Sequence, residues 1–430
     1  MFIEPWTVLG VAVVAVWTYL LLGRGMFWRT AAITRSHSDP VDQVESGASG
    51  GIVAIIPARN EAAVIARSVT SLLNFGPSSR ANLHPSEPKS DSHPNEPKSG
   101  SPGTPVHVIV VDDASSDGTA SAARAAAERA GSGDAMQVIP GSELPPGWSG
   151  KLWALRQGVE AARVLAPRSH PSKPKNGLAG DSGWLLLTDA DVAHAPRDLE
   201  ALLRLAAGGS YDLASLMVRL RCQSPAERLL IPAFVFFFFK LYPPRWVADP
   251  RRTAAGAAGG CIVVRLEALA RSGGMEAIRR EVIDDCALAR AVKRSGGRVW
   301  LGLAEESASF RAYSSFASIG RMISRTAFNQ LRHSVVRLGA AVLGLAFAYL
   351  APLALVCSRR PLPAVLGLLA WGLMTLAYWP MVRYYRLPGA WAATLPAAAC
   401  FYAGATVHSA WQYWRGRGGQ WKGRVQDPAR

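Results

Sequence analysis

Trp184-Leu185-Leu186-Leu187-Thr188-Asp189-Ala190-Asp191 is the stretch from which the rest of the chain can be read. An apolar run ends abruptly in two carboxylates separated by a single small residue. The run is too short for a helix and predicts a buried strand. The strand end then brings Asp189 and Asp191 to the edge of a sheet, where open α/β folds place ligands. Two acidic oxygen donors at this spacing suit a hard divalent cation such as Mg2+ or Mn2+, particularly one shared with a phosphate. A polar turn closing a strand is the plainer alternative, because Asp is a common turn residue.

Two similar units precede this stretch. Residues 51–61, GIVAIIPARNE, predict a strand that stops at Pro57 and turns into a helix capped by Asn60, with Ile65, Val69, Leu72 and Leu73 on one face. Residues 106–111 predict a second strand, ending in DDASSDGT at 112–119 and followed by an Ala-rich helix. Helix capping and turn chemistry explain part of that acidic run, but Asp112 beside Asp113 is more acid than a cap needs. A further strand at 136–139 leads to Gly150-Lys151 at the start of a helix, where a lysine and backbone N–H groups can meet a phosphate together. Strand, acidic turn and helix, repeated, imply a mainly parallel α/β sheet.

The ends of the chain are of another kind. Residues 5–23 carry no charge and are long enough for one membrane crossing. Arg24, Arg29 and Arg35 come after this run rather than before it, which favours an anchor over a cleaved signal peptide and puts the chain beyond Arg24 in the cytoplasm. Residues 338–357, 361–382 and 387–414 are also uncharged and long enough to cross. Three crossings would leave the basic tail (Arg415, Arg417, Lys422, Arg424) outside, against the positive-inside tendency; either one segment re-enters or the tendency fails here. The net charge of +16 lies largely beside these apolar runs, a membrane pattern rather than a nucleic-acid groove. Five scattered cysteines, with no Cys-x-x-Cys pair, suggest neither a zinc site nor a disulfide framework.

The expected organisation is therefore an anchor at 1–24, a linker at 25–50, a catalytic domain at 51–335, a membrane region at 336–414 and a basic tail at 415–430. Within the domain, 77–105 and 167–183 are rich in Ser, Pro, Lys and Asn and predict surface insertions without a core. Segment 229–244, with its run of phenylalanines, is too short to span a bilayer. It reads either as an interfacial segment guiding a lipid acceptor or as a helix buried against the other apolar segments. Thr253 to Cys261 has almost no side-chain bulk, so Gly259 and Gly260 would let backbone approach a sugar or diphosphate closely; a plain loop is the alternative. Arg321, Arg325 and Arg332 share a helical face that suits a diphosphate or lipid headgroups, or is simply solvated.

The motifs Ile55–Glu61, Asp112–Thr119, Gly150-Lys151 and Asp189-x-Asp191 occur in the order and approximate spacing of family 2 glycosyltransferases, and the resemblance covers roughly 51–303. It implies the GT-A fold, a mixed and mainly parallel sheet flanked by helices, with one N-terminal and about three C-terminal transmembrane helices added here. It also implies a nucleotide-sugar donor. Pro57, Ala58, Arg59, Glu61, Asp112 and Asp113 would then hold the nucleotide, Lys151 and Asp189 the phosphate end, and Asp189 with Asp191 the divalent cation. Asp284-Asp285 resembles the family's Glu-Asp-x-x-Leu element, making Asp285 the catalytic base and Asp284 its neighbour on the acceptor or diphosphate side, with Gly259, Gly260, Arg321 and Arg325. The Gln-x-x-Arg-Trp motif of processive polymerases is missing, which argues for a non-processive enzyme, and one base with a stabilised leaving group and no protein nucleophile implies inversion. Residues 144–155, LPPGWSGKLWAL, and the Gly256–Cys261 element are similar to the bacterial hopene-associated glycosyltransferases. That similarity implies a hopanoid or other lipid acceptor in the bacterial cytoplasmic membrane, no nucleic-acid partner, and a catalytic domain facing the cytoplasm. A ceramide or polyprenyl-phosphate transferase and a catalytically silent scaffold of the same fold are the alternatives.

Overall fold

The computed structural model describes residues 4–29, 51–75, 106–165, 183–421 and 424–425. The insertions expected at 77–105 and, but for Gly183, at 167–183 lie outside them, as do most of the linker and Lys422. The strands are β1 (Ile52–Ala58), β2 (Val106–Asp112), β3 (Met136–Pro140) and β4 (Trp184–Leu187) in the first half. They continue as β5 (Val192–Ala193), β6 (Leu213–Arg219), β7 (Ile262–Arg265) and β8 (Val299–Ser309). Together they form one sheet in the order β3-β2-β1-β4-β7-β6-β8-β5. The β3-β2-β1-β4 half is parallel throughout, whereas β7 runs antiparallel to both β4 and β6.

Alternate residues of the parallel strands enter two different cores. Ile55, Ile109 and Leu185 face one, and Ala54, Ile56, Val108, Val110 and Leu186 face the other. Burial on both faces is why these strands read as unbroken apolar runs instead of alternating ones. The helices that cover the sheet include α1 (Pro5–Leu22), α2 (Ala62–Leu73), α3 (Thr119–Arg129), α4 (Gly150–Leu165) and α5 (Pro196–Gly208). They are followed by α6 (Pro225–Leu241), α7 (Asp284–Arg294) and α8 (Phe316–Ser324). Three long apolar segments come last, α9 (Val335–Val356), α10 (Pro361–Tyr384) and α11 (Gly389–Trp414), and with α1 they make four, among the described residues, that are long and apolar enough to cross a membrane. The buried cluster on one face of the sheet runs without a break into these helices, from Leu185 through Phe236 to Trp17, Tyr378 and Tyr402.

Several local expectations need correction. β1 continues through Pro57 to Ala58, because Pro57 still pairs in register with Val111. Asn60 does not cap α2: it sits at φ 52° and its Oδ1 accepts from Ser116 N at 2.9 Å. The helix start is instead satisfied from the acidic loop, with Thr119 Oγ1 accepting from Glu61 N at 2.8 Å and Asp117 Oδ2 from Ala62 N at 3.0 Å. Asp117 therefore has a structural use, and so in part do its neighbours: Asp112 Oδ1 accepts from Ser115 N at 3.2 Å and Asp113 Oδ2 lies 3.4 Å from Arg59 Nη1. The apolar segment 229–244 is packed rather than laid open. In α6, Phe236 meets Phe27 and Tyr378, and Phe237 meets Tyr349 and Tyr402, with ring centroids 5.0 to 5.6 Å apart. The basic stripe is also shorter than expected. α8 ends at Ser324, and Arg332 sits beyond a separate short helix at φ 52°, so only Arg321 and Arg325 share a face.

The last apolar segment doubles back. Its opening 3-10 stretch runs beside α10, where Gly389 fits against Trp379 and Ala393 O accepts from Trp371 Nε1 at 3.1 Å. The α-helical part, Leu395–Trp414, then returns to the sheet domain: Tyr402 Oη donates to Leu230 O, and Ser409 Oγ accepts from Phe328 N at 3.0 Å.

Candidate active site

Beyond β4 the chain turns through Thr188 to Asp191, and both acids of the opening stretch face an open cavity of about 740 Å3. Thr188 fixes the turn by donating from Oγ1 to Gly260 O at 2.9 Å, while His194 Nε2 lies 2.7 Å from the same hydroxyl. Burial pushes the His194 imidazole down to about 4, so it is a neutral partner and not a charge in the site.

Two cations organise the acids. Lys151, on the first turn of α4, has Nζ 3.0 Å from Asp189 Oδ1 and 3.0 Å from Asp284 Oδ2. Arg311, two residues past the end of β8, places Nε 2.7 Å from Asp191 Oδ2 and Nη2 2.7 Å from Glu61 Oε1. Ser309 Oγ donates to Asp191 Oδ2 at 3.1 Å. Burial alone pulls the Lys151 ammonium down, but Asp189, Asp284 and Asp285 together hold it above its ordinary value. The six carboxylates of the wall, Glu61, Asp189, Asp191, Glu281, Asp284 and Asp285, outnumber the two cations Lys151 and Arg311. Asp189 accordingly lies above the usual carboxylate range, raised by burial and then by Asp191 and Asp284 against the pull of Lys151.

Asp285 begins α7 with its carboxylate held by backbone: Oδ2 accepts from Gly259 N at 2.9 Å and Oδ1 from Cys286 N at 2.7 Å. Burial and then the neighbouring Asp284 charge push it up to about 6, with Lys151 and the two N–H groups acting the other way. A carboxylate poised near neutrality and facing a cavity suits proton abstraction. Gly259 lies directly over this pair: a Cβ there would be in ordinary van der Waals contact, 3.4 Å, with both Asp285 Oδ2 and Lys151 Nζ.

Among the described residues, no group of three or more His, Cys, Asp and Glu converges on one metal position. Asp189 Oδ2 and Asp191 Oδ1 nevertheless make none of the contacts above, so each acid keeps one oxygen uncommitted. Two hard oxygens in an acid-rich wall fit a divalent cation whose remaining positions come from a bound diphosphate and water, not a cage made by the protein alone.

The cavity brings together Pro57, Glu61, Lys151, Asp189, Asp191, Gly259, Gly260, Asp284, Asp285, Arg321 and Arg325. Ala58, Arg59, Asp112 and Asp113 are not in its wall; they form the adjoining sheet edge. There Ala58 pairs with Asp112, and Arg59 Nη1 donates to Asp113 O at 2.7 Å. Arg311 is the residue that sequence reasoning missed. Its only signal was a lone arginine just after a strand, Val299–Ser309, that begins apolar and ends in Glu and Ser. Away from the acids the wall is apolar and basic: Phe234 and Phe238 of α6, Arg321 and Arg325, and His408, Gln412 and Arg417 from α11 and beyond. Tyr313 stands between the two ends. Its phenol is raised by burial, pulled down by Arg311 and Arg325, and pushed up by Asp191 and Asp189.

The family model described as glycosyl transferase family 2 matches residues 53–283, and the model described as glycosyl transferase family 21 matches 180–424, each more than half of the chain. The chain belongs to the family 2 and family 21 glycosyl transferases. Its mixed, curled sheet with flanking helices is the GT-A fold of those enzymes. A search of curated proteins returned no match. Among solved structures, the glycosyl transferase is similar to the mannosyltransferase PcManGT from Pyrobaculum calidifontis in complex with GDP-Man and Mn2+. The identity is 18%, 94% of this chain and 99% of that one are covered, and the TM-score is 0.48. Glucosyl-3-phosphoglycerate synthase from Mycobacterium tuberculosis in complex with Mn2+, UDP and glucosyl-3-phosphoglycerate shares 17% identity, covering 65% of this chain and 78% of that one with a TM-score of 0.36. Mannosyl-3-phosphoglycerate synthase from Rubrobacter xylanophilus shares 15% identity, covering 66% and 74%, with a TM-score of 0.33.

Proposed function

We propose that this glycosyl transferase moves one sugar at a time, with inversion, from a nucleotide-diphosphate donor to a lipid acceptor in a membrane. The observation that carries the reading is the single cavity whose wall includes both the Asp285 and Asp189/Asp191 carboxylates and the Phe234, Phe238 and His408 positions on apolar helices. A water-soluble acceptor would have no use for the second half of that wall.

The nucleotide lies along the sheet edge made by Pro57, Ala58, Arg59, Glu61, Asp112 and Asp113, with its diphosphate directed toward Lys151. Asp189 and Asp191 would hold a divalent cation, Mg2+ or Mn2+, which when bound supplies positive charge to the diphosphate leaving group. Lys151 adds a second positive charge beside the same oxygens and keeps Asp189 and Asp284 from repelling each other. Arg311 fixes the rotamer of Asp191 by tying it to Glu61. Asp285 takes the proton from the acceptor hydroxyl as that oxygen attacks the anomeric carbon on the face opposite the diphosphate. Held through Gly259 and Cys286, Asp285 needs no movement to do so, and one base with a stabilised leaving group requires no protein nucleophile.

Helices α1, α9 and α10 cross the membrane in this reading, with domain boundaries as the sequence suggests. Because α11 doubles back to the sheet domain, the basic tail ends on the same side as the catalytic cavity. This supports a re-entrant last segment and a cytoplasmic site in a bacterial inner membrane. The motif similarity to hopene-associated enzymes supports a polycyclic triterpenoid body for the lipid. The test is to incubate membranes containing the enzyme with a panel of labelled nucleotide sugars, with and without chelator. One nucleotide sugar is expected to deliver label to the organic phase, with loss on chelation, recovery with Mn2+ or Mg2+, and an inverted anomeric configuration by NMR. Label reaching only water-soluble products would rule the lipid acceptor out.

A further inference from the structure

The apolar side of the cavity contains more positive charge than a donor nucleotide can use. Arg321 and Arg325 on and just after α8, with Arg417 beyond α11, line the same wall, and among the described residues none of the three has an acidic partner. The other arginine of this cavity, Arg311, is committed to two carboxylates at 2.7 Å. The diphosphate end of the donor is read above at Lys151, which lies with Asp189 and Asp284 on the other side of Tyr313 from these arginines. Three uncompensated guanidiniums facing one cavity repel each other, and their planar forks match phosphate oxygens.

We propose that the acceptor carries a phosphate close to its reactive hydroxyl, and that Arg321, Arg325 and Arg417 bind that phosphate while the lipid body lies along Phe234 and Phe238. The inference rests on the lipid-acceptor reading above and specifies the headgroup, whatever the hydrocarbon. Asp285 requires a hydroxyl as nucleophile, because a phosphate monoester is already ionised and needs no base. The phosphate is therefore a binding handle, as in a phosphodiester with a hydroxylated headgroup. In the transfer the headgroup O–H gives its proton to Asp285 and the oxygen bonds to the anomeric carbon. The bond from that carbon to the donor diphosphate breaks, with its electron pair leaving on the nucleoside diphosphate. His408, 3.2 Å from Gln412 through their Nε2 atoms, offers a further polar contact on the wall that α11 contributes.

The probe is short-chain dihexanoyl phosphatidylglycerol, titrated calorimetrically into the full-length protein in neutral detergent. Neutral dihexanoylglycerol, inorganic phosphate and the preferred nucleoside diphosphate are titrated separately. The phosphatidylglycerol should bind at least tenfold tighter than the neutral lipid or inorganic phosphate. The double substitution Arg321→Gln/Arg325→Gln should weaken it at least tenfold, leave nucleotide binding within twofold, and be largely rescued by Arg321→Lys/Arg325→Lys. Equal binding of the neutral lipid, a wild-type affinity in the Gln variant, or no binding of the phosphatidylglycerol overturns the proposal. Inorganic phosphate binding as tightly as the lipid assigns the arginines to a free anion, and parallel loss of nucleotide binding assigns them to the donor; both overturn it. Failure of wild-type protein to bind any nucleotide would instead count against the transferase reading itself.

Discussion

With Asp285 as the proposed base, the pH dependence of transfer follows from its surroundings. Its carboxyl sits at about 6 against an ordinary value of 3.8, so ionising it inside the site costs on the order of 3 kcal/mol more than in water, at 1.36 kcal/mol per unit. The base works only when deprotonated. The value of kcat/KM should therefore climb about tenfold per pH unit below 6 and level off above it. Two substitutions move this limb in opposite directions. Asp284→Asn removes the like charge that pushes Asp285 up, and Lys151→Met removes the opposite charge that pulls it down. A unit charge roughly 7 Å away at an effective dielectric of ~20 is worth about 2 kcal/mol. Allowing for partial exposure, the limb should fall by about one unit in Asp284→Asn and rise by about one unit in Lys151→Met, whatever happens to the plateau. The assay is initial transfer rate at subsaturating donor from pH 4.5 to 8.5. A limb that stays near pH 6 in both variants, or moves the same way in both, would refute the assignment of the titration to Asp285.

Arg311→Gln removes the bridge between Glu61 and Asp191 and leaves a buried carboxylate without its cation. It should raise the donor KM at least tenfold and lower the unfolding midpoint, a loss of about 2 to 3 kcal/mol, measured by nucleotide titration and thermal melting. Gly158→Ala tests the sheet packing away from the chemistry: its Cβ would lie 2.3 Å from Ile55 Cγ2, so about 1 to 3 kcal/mol of stability should be lost with little change in KM. A reporter fused after the basic tail should register on the cytoplasmic side, together with one inserted in the 77–105 region, because α11 returns to the catalytic face; opposite sides would disprove the re-entrant segment.

How much of the molecule was legible in the chain depended on distance along it. The parallel half of the sheet was visible because β1, β2 and β4 are buried on both faces and so read as unbroken apolar runs. Asp189 and Asp191 were visible because a buried strand that stops in acid must spend those charges on solvent, a cation or a ligand at its end. Arg311 was not, since its two partners lie 120 and 250 residues away and nothing local distinguishes it from any arginine after a strand. Asn60 misled because a capping residue type stood at a helix start, while the loop at 115–119 supplied the cap from another strand end. The phenylalanine run of α6 left two readings open because composition cannot say whether rings meet lipid or other rings. The structure packs Phe236 and Phe237 among rings, while Phe234 and Phe238 line the cavity, Phe238 with Tyr242 and Phe239 beside it. The doubling back of α11 was hidden in an uncharged segment of spanning length, where only the tail charge hinted at it.

The central claim is that Asp285 is the base of a lipid glycosyl transferase. The direct measurement compares wild type with Asp285→Asn, both in lipid vesicles with labelled donor and divalent cation, scoring label in the lipid phase and nucleotide affinity in the same preparations. Label should enter lipid with wild type and fall at least a thousandfold in Asp285→Asn, whose nucleotide affinity stays within a few-fold and whose fold is intact. Transfer to lipid by Asp285→Asn at a rate near wild type would contradict the account.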